Sequence, residues 1–215
     1  MKIILMGAPG TGKGTQSNFI KEKFNIPKIT LGDLLRSKNT IKNEKIRKKI
    51  NLIISSGKLV NDEIIFDLIK KRIYKKDCEK GFLLDGFPRT MKQAYFIKKE
   101  KIKIDYVIEF FMSTELIIKR ILGRKIHIPS GRIYHSIFNP PIKEDIDDIT
   151  GEKLTERNDD NILSIKKRIQ EYKKFSKKLI KFYIKENKKK NIKYFRINTS
   201  ISILEIQKKI KEILL

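Results

Sequence analysis

The chain has 215 residues, which is enough for one sizeable hydrophobic core with insertions. Its single cysteine, Cys78, excludes a disulfide framework and indicates a reducing compartment, so we expect a cytoplasmic protein. No apolar run approaches the ~20 residues that a membrane-spanning helix needs, and the apolar start of the chain is too short for a signal peptide.

The formal net charge of +25 has two interpretations. One is nucleic-acid binding. The other is a lysine-rich composition spread over solvated faces, which is favoured because the lysines are scattered and aromatic residues are not interleaved with any one basic stripe. We therefore expect no specific nucleic-acid partner and no membrane partner, only weak non-specific binding to nucleic acid at low salt.

The first predicted strand, residues 2–6, runs directly into the sequence GAPGTGKGT at residues 7–15. Gly7, Gly12 and Lys13 have the spacing of a phosphate-binding loop, in which backbone N–H groups cradle phosphate oxygens and the lysine adds a charge. An ordinary glycine turn is the alternative, and it is disfavoured because the strand, the lysine and the start of a helical pattern coincide.

The residue after Lys13 departs from the usual form of this loop. A serine or threonine hydroxyl normally follows the lysine and holds magnesium, whereas here Gly14 follows and the hydroxyl is delayed to Thr15. The metal must therefore be held mostly by phosphates, waters and carboxylates elsewhere. This pattern argues against a GTPase or a motor-type ATPase.

Strand-like runs alternate with helical patterns along the chain. The predicted strands are residues 2–6, 82–84, 106–111 and 194–197, and the predicted helices are residues 14–24, 93–99, 114–123, 161–187 and 202–214. This order predicts an α/β fold of the P-loop NTPase type, with a parallel sheet between two layers of helices. Ligands of such sheets bind at the carboxyl ends of the strands, where the phosphate loop and Asp85 lie.

Two stretches interrupt the alternation. Residues 30–60 are lysine-rich and helical in pattern, and residues 123–160 are rich in Gly, Pro, Asn and Asp. We expect both to be small insertions in one core, which then consists of residues 1–29, 61–122 and 161–215.

Arginines that persist in a lysine-biased chain are candidate phosphate ligands, because a guanidinium grips phosphate bidentately. Arg89 is the strongest candidate, since its turn opens at the end of a strand beside the phosphate loop. Asp85, at the same end, is the natural carboxylate to orient hydrated magnesium, with a turn or cap aspartate as the alternative. Solvated surface arginine is the alternative for the remaining candidates, which are Arg36, Arg120, Arg124, Arg132, Arg157 and Arg168.

The sequence resembles adenylate kinase, in its bacterial form with a long lid, essentially from end to end. The motifs that carry the resemblance are GAPGTGKGTQ at 7–16, GDLLR at 32–36, GFLLDGFPRT at 81–90, GRK at 123–125, PSGRIYH at 129–135, FNPP at 138–141 and DITGE at 148–152. The resemblance implies a central parallel sheet of five strands, an AMP-binding insertion at 30–60 and a lid at 123–160. It also implies a monomer that converts ATP and AMP into two ADP with Mg²⁺.

The resemblance implies a role for each candidate residue. The implied catalytic residues are Lys13, Asp85, Arg89, Arg124, Arg157 and Arg168, with no metal ligand directly from the protein and Asp85 acting through water. The implied ATP-binding residues are Gly10, Thr11, Gly12, Lys13, Gly14, Thr15, Arg120, Arg124, Arg132, Tyr134 and Ile201. The implied AMP-binding residues are Leu31, Arg36, Lys58, Val60, Gly86, Arg89, Gln93, Arg157 and Arg168.

Some of these implied roles are more specific. Arg120 stacks on the donor base, Gln93 reads the AMP adenine edge, and Arg132 and Asp159 help to close the lid. Two departures from the family pattern affect neighbouring contacts. Leu31 stands where a small or hydroxylated residue is usual, and Asn198–Thr199 replaces an Asp-Gly pair near the donor adenine.

Many family members bind structural zinc in the lid through four residues of Cys-x2-Cys spacing. The corresponding positions here are His127, Ser130, Asp147 and Thr150. Serine and threonine hydroxyls are poor zinc ligands because they stay protonated at neutral pH. We therefore expect no zinc, and a lid tied by a polar network in which His127 pairs with Asp147.

Three alternatives stay open on the sequence alone. A UMP/CMP kinase is disfavoured by the long second insertion and by Gln93, whereas nothing separates ATP from GTP as the donor. A nucleic-acid-binding P-loop protein is the alternative from another class of function.

Overall fold

The computed structural model describes residues 1–37, 40–55, 60–156 and 160–215. Its centre is a sheet of five strands, all parallel, in the order β2-β3-β1-β4-β7. The strands of this sheet are β1 (Lys2–Gly7), β2 (Lys28–Thr30), β3 (Phe82–Asp85), β4 (Tyr106–Phe111) and β7 (Lys193–Asn198). Helices cover both faces, so the predicted three-layer α/β/α fold with five parallel strands is confirmed.

The helices connect the strands in the order that the sequence predicts. They are α1 (Lys13–Phe24), α2 (Leu31–Arg36), α3 (Glu44–Ser55), α4 (Asp62–Ile73), α5 (Met91–Lys99), α6 (Thr114–Leu122), α7 (Ile162–Lys188) and α8 (Ile203–Leu214), with a 3-10 turn at Lys76–Cys78. No helix within the described ranges is both long and apolar enough to cross a membrane.

Both faces of β1 are buried, which explains its continuous apolar sequence. Ile3 and Leu5 pack with α1 and α8, whereas Ile4 and Met6 face the core on the side of α4, α5 and α7. A sheet covered on both faces leaves its strand ends as the place where polar chemistry can meet solvent.

Local sequence signals set several helix starts. Ser202 and Glu205 form a reciprocal capping box at the start of α8. The Thr90 hydroxyl accepts a hydrogen bond from the Gln93 N–H at the start of α5, and the Asn161 side chain does the same for Ser164 at the start of α7.

Two elements of the core are absent from the pattern-based prediction. Strand β2 has only three residues, too few to show a period, and α4 follows the first insertion without a marked break in composition. The stretch 30–60 is also less uniformly helical than predicted, because Thr30 ends β2 and only α2 and α3 are helical within its described residues.

The second insertion, which we call the lid (residues 123–160), is built on a small antiparallel hairpin. Strands β5 (Arg124–His127) and β6 (Arg132–His135) pair in register, and the bridge between Ile126 and Thr155 extends the hairpin. The limits of the lid and of the other domains remain predictions.

A polar network ties the lid at the four positions discussed above. The His127 Nδ1 lies 2.7 Å from the Ser130 Oγ, and the Thr150 hydroxyl donates to Asp147 at 2.9 Å. The Glu152 carboxylate lies 2.5 Å from the His127 Nε2. The network includes this fifth residue, which the zinc-based spacing does not reveal.

Asp147 is the centre of the network, and its main partner is an arginine rather than His127. Arg132 donates to both carboxylate oxygens of Asp147, at 2.8 and 2.6 Å, and the Tyr134 hydroxyl donates at 3.0 Å. The expected His127–Asp147 contact is longer, at 3.7 Å. Hydrogen bonds from Arg132, opposed in part by burial, hold the pKa of Asp147 well below its usual range.

We expect Asp147→Asn to lower the melting temperature, because a neutral amide cannot replace the carboxylate that Arg132 and Thr150 contact. Differential scanning calorimetry with and without a chelator tests this expectation. The matched control is Glu144→Gln, which removes the same charge at an exposed lid position and should leave the melting temperature unchanged. Stoichiometric zinc in the purified protein, with loss of stability on chelation, would contradict the metal-free network.

Candidate active site

The phosphate loop joins β1 to α1, and its backbone conformation requires glycine. Gly7 has φ +150°, and an added Cβ would lie 2.7 Å from the Phe110 carbonyl oxygen on the neighbouring strand. Gly12 has φ +86° and immediately precedes α1. The loop therefore turns tightly and directs the start of α1 toward the carboxyl ends of the strands, which suits phosphate binding.

Lys13 folds back over this loop. Its Nζ donates to the carbonyl oxygens of Gly7 and Ala8, each at 2.7 Å. Burial, and secondarily the positive charges of Arg89, Arg168 and Arg124, lowers the pKa of Lys13 to about 8, although the Asp85 carboxylate opposes the shift. Phosphate groups next to this amine would restore the preference for its charged form.

Asp85 ends β3 at the same edge of the sheet and is only 7% exposed. The Ser17 Oγ lies 3.4 Å from its Oδ2, while the Ser17 hydroxyl makes its shorter hydrogen bond, at 2.9 Å, to the Gly14 carbonyl. One carboxylate and one nearby hydroxyl match the oxygen ligands of Mg²⁺, which keeps several waters and takes its remaining ligands from phosphates. Asp85 and Ser17 are therefore the residues that would orient a hydrated magnesium ion here, and Ser17 is a residue that the sequence analysis did not identify.

Two arginines line one end of the cavity. The Arg89 Nε donates to the Gly86 carbonyl at 2.8 Å, and burial lowers the pKa of Arg89, with Asp85 opposing the shift. Arg36 pairs with Asp33 at 2.9 Å on the exposed side of α2. Leu31 and Val60 provide apolar surface near these arginines.

Two further arginines meet at a carboxylate that the sequence analysis did not select. Arg124 at the start of β5 donates to both oxygens of Asp160, at 2.7 and 2.5 Å. The Arg168 guanidinium lies 3.5 Å from the same carboxylate. The only sequence signal for Asp160 is its position directly before the N-cap of α7, which is a common place for a structural aspartate.

Arg120 lies on α6, which follows β4 on the opposite side of β1 from β2 and β3. Its guanidinium lies 5.1 Å from the centre of the Phe138 ring, and its Nε is buried with no hydrogen-bond partner among the described residues. Burial lowers the pKa of Arg120. The unsatisfied donor beside the ring would suit a flat, polar group such as a nucleobase, and Ile201 lines the same cavity.

One cavity of 1510 Å³ joins these groups. The predicted residues that line it are Gly10, Gly12, Lys13, Gly14, Thr15, Leu31, Arg36, Val60, Asp85, Gly86, Arg89, Arg120, Arg124, Tyr134, Arg168 and Ile201. Their roles stay predictions, but the structure does bring them to one space.

Three predicted residues do not line the cavity. Thr11 is buried, and its hydroxyl donates to the Ala8 carbonyl. Arg132 is directed into the lid network by Asp147. Gln93 is fully buried, accepts from the Arg89 N–H and donates to Asp62, so it could contact a ligand only after a rearrangement. Lys58, Arg157 and Asp159 lie outside the described residues.

The lid approaches the phosphate loop closely at Gly14. A Cβ added to Gly14 would lie 3.0 Å from the Ile133 Cδ1 on β6. Gly14 stands at the position that usually carries a hydroxyl. Because it has no side chain, the lid can pack against the start of α1.

The chemistry of the cavity defines the class of protein. Buried cations beside a glycine-rich loop demand a ligand with several phosphates, so the chain is a phosphate-loop nucleotide-binding protein. A family model described as adenylate kinase matches residues 5–188. The chain belongs to the adenylate kinase family.

Individual relatives match over the full chain. The chain is 55% identical over 214 residues to an adenylate kinase of Buchnera aphidicola subsp. Acyrthosiphon pisum (strain Tuc7). The aligned region covers 100% of this chain and 99% of the relative. An adenylate kinase of Buchnera aphidicola subsp. Schizaphis graminum (strain Sg) is also 55% identical, and one of Photorhabdus laumondii subsp. laumondii is 49% identical, with 100% of both chains covered in each case.

The pKa of Lys13 generates a pH prediction. We expect the affinity for ATP to fall as the pH rises through about 8, by up to about tenfold per pH unit. In the free protein the Lys13 amine loses its proton near this pH, whereas bound phosphates favour the protonated amine. Above a pH of about 8, ATP must therefore bind together with a proton. Calorimetric titration between pH 7 and 9.5 measures the effect. Lys13→Met should bind weakly at every pH without this inflection, whereas a flat wild-type profile would contradict the assignment.

The contact between Gly14 and Ile133 generates a prediction for the lid. Gly14→Ala should change the melting temperature little, since the gain of up to about 1 kcal/mol in helix propensity is offset by the crowding of Ile133. It should weaken ATP binding about fivefold or more, because the crowded Ile133 moves outward at a cost of about 1 kcal/mol. The additional substitution Ile133→Val removes the crowded methyl group and should restore the affinity. Weak binding that Ile133→Val does not restore would contradict the contact.

Proposed function

We propose that the protein catalyses the reversible, Mg²⁺-dependent transfer of a phosphoryl group from ATP to AMP, giving two ADP, in adenine nucleotide homeostasis. The family is one of phosphotransferases, and its match to residues 5–188, together with relatives that match the full chain, favours this reaction over the alternatives. The observation that carries the proposal is that one cavity is lined by the phosphate loop, Arg36, Arg89 and Arg120. In the sheet order, Arg36 and Arg89 follow β2 and β3 on one side of β1, whereas Arg120 lies on α6 after β4, on the other side. Such a cavity accommodates two nucleotides whose phosphates meet between them.

The donor ATP then extends from the Arg120 end to the phosphate loop. Its base lies against Arg120 and Ile201, and its phosphates accept hydrogen bonds from the N–H groups of residues 10–15 and from Lys13. To make these contacts, Lys13 exchanges the Gly7 and Ala8 carbonyls for phosphate oxygens. Tyr134 contributes from the lid, and Arg132 joins it if its pairing with Asp147 is exchanged.

The acceptor AMP occupies the opposite end. Its phosphate pairs with Arg36 and Arg89, and its base and sugar contact Leu31, Lys58, Val60 and Gly86. Gln93 reads the base after it leaves its present partners.

Positioning and charge stabilisation account for the chemistry. An acceptor phosphate oxygen attacks the terminal phosphorus of ATP in line with the departing ADP oxygen, and no covalent enzyme intermediate is needed. Arg124 and Arg168, with Arg157 as the third proposed member, stabilise the negative charge on the transferring group. Magnesium, when bound, neutralises charge on the ATP phosphates, and Asp85 orients its water ligands.

Water must be kept from the same phosphorus atom, because its attack would hydrolyse ATP. The two insertions border the cavity and are the elements that can close over it. The packing of Ile133 next to Gly14 supports this role for the lid.

We also propose that the protein is a cytoplasmic monomer with ATP, AMP and ADP as its partners, no zinc, no membrane attachment and no sequence-specific nucleic-acid partner. GTP in place of ATP is the alternative donor.

A panel of acceptors tests the reaction directly. With Mg²⁺ and ATP, we expect ADP formation with AMP, and rates at least an order of magnitude lower with CMP, UMP or GMP. Repeating the AMP assay with GTP as the donor identifies the donor preference. An enzyme that used CMP or UMP as well as AMP would contradict the proposed acceptor.

The acceptor arginines generate a kinetic prediction. We expect Arg36→Ala and Arg89→Ala each to lower kcat/KM for AMP by roughly 10- to 150-fold, since loss of a charge-assisted hydrogen bond costs about 1.5–3 kcal/mol. The KM for ATP should change little. The variants Arg36→Lys and Arg89→Lys keep the charge but lose the bidentate geometry, so their rates should be intermediate. Wild-type kinetics at limiting AMP in both alanine variants would place the acceptor elsewhere.

A further inference from the structure

The long helix α7 presents a row of lysines to solvent. Eight exposed lysines lie within an arc of about 120° on the helix and extend over roughly 33 Å of its axis, at 3.6 residues per turn and 1.5 Å per residue. We call this row the lysine ridge, and its members are Lys166, Lys167, Lys174, Lys177, Lys178, Lys181, Lys185 and Lys188.

The charge of the ridge is not compensated from within the helix. The acidic residues of α7 are Glu171 and Glu186. Glu171 lines the main cavity, and the buried Glu186 pairs with Lys98, which lies outside the ridge. None of the ridge lysines forms an ion pair with another part of the chain that the structure describes. The ridge has about one lysine per 4 Å of helix axis, so neighbouring charges lie within the screening length of ~8 Å at physiological salt. Their electrostatic fields therefore add, and they attract a polyanion together.

The shape of the ridge matches one kind of polyanion. It follows one helix, and its length is close to one turn of a DNA duplex, about 34–36 Å. Proteins that hold single strands stack the bases on aromatic side chains. The aromatic residues of α7 are buried or half-buried, so the ridge can contact phosphates but offers no stacking surface.

A membrane surface fits the ridge less well. Helices that lie on anionic membranes insert an apolar face beneath their lysines. The apolar face of α7, with Ile165, Leu179 and Tyr183, is packed in the interior of the protein.

We propose that the lysine ridge binds the phosphate backbone of double-stranded nucleic acid without sequence preference. None of the ridge lysines lines the nucleotide cavity, so the proposed phosphoryl transfer and duplex binding occupy separate surfaces. The inference goes beyond the proposed function and does not depend on it.

Fluorescence anisotropy with a 20-base-pair DNA duplex tests the ridge. If about four phosphates are neutralised, the affinity should fall on the order of a hundredfold between 50 and 200 mM salt. Duplexes of different sequence should bind equally well.

A matched pair of fourfold variants separates the ridge from the overall charge. The ridge variant carries Lys174→Gln, Lys177→Gln, Lys181→Gln and Lys185→Gln. The control carries Lys23→Gln, Lys80→Gln, Lys208→Gln and Lys209→Gln, which are exposed lysines outside α7 and give the same change in net charge. Glutamine and lysine have similar helix propensities, so both variants should keep the fold and the wild-type rate of phosphoryl transfer.

We expect the ridge variant to bind the duplex at least tenfold more weakly at 50 mM salt with a shallower salt dependence, and the control to bind within about twofold of wild type. Equal losses in the two variants would mean that net charge alone drives binding and would overturn the proposal. Absence of duplex binding at 50 mM salt would also overturn it. So would ridge-dependent binding to phosphatidylserine vesicles that exceeds binding to the DNA duplex.

Discussion

The concentration of positive charge at one edge of the sheet is the constraint on which the site depends. Lys13, Arg89, Arg124 and Arg168 converge there and repel one another, and the repulsion is stronger because water is partly excluded. Carboxylates at two places, Asp85 at the end of β3 and the acid between Arg124 and Arg168, offset part of it. The remaining positive charge would stabilise phosphate groups at this edge, as the proposed function requires.

The fold holds these charges in place because the residues that carry them lie at the ends of the core strands or at the start of elements that adjoin the insertions. The parallel sheet is apolar on both faces, so its strands resist displacement, and every strand of the core ends at the same edge. Lys13 begins a helix at this edge, whereas Arg124 and Arg168 belong to the lid and to the helix after it. Movement of the lid therefore changes the charge density at the site without disturbing the sheet.

Much of the fold could be predicted from the sequence, because the features that define it are local. The phosphate loop depends on glycines over a few residues, and Asp85 follows a short buried strand. Strand β2 was missed because three residues show no periodicity, and its position is fixed by pairing with β3 across the sheet. The sequence pattern therefore predicts four strands of the sheet, and only the family resemblance implies the fifth.

The parts of the site that could not be predicted depend on contacts between distant residues. Arg132 pairs with Asp147, which lies 15 positions further along the chain. Gln93 is buried against Asp62, which lies 31 positions earlier. Each side chain has several possible partners of suitable charge or polarity, and only the packed structure selects among them. The polar lid network was expected from the chemistry of its four positions, but its strongest ion pair was not.

Asp160 has a consequence for turnover. Its carboxylate accepts hydrogen bonds from Arg124 and contacts Arg168 much as a phosphate oxygen would. Under the proposed function it is therefore an internal competitor for the substrate, because a nucleotide would have to displace it to reach these arginines. On departure of the product the aspartate would pair with the arginines again. Such an exchange would favour release of product over tight binding.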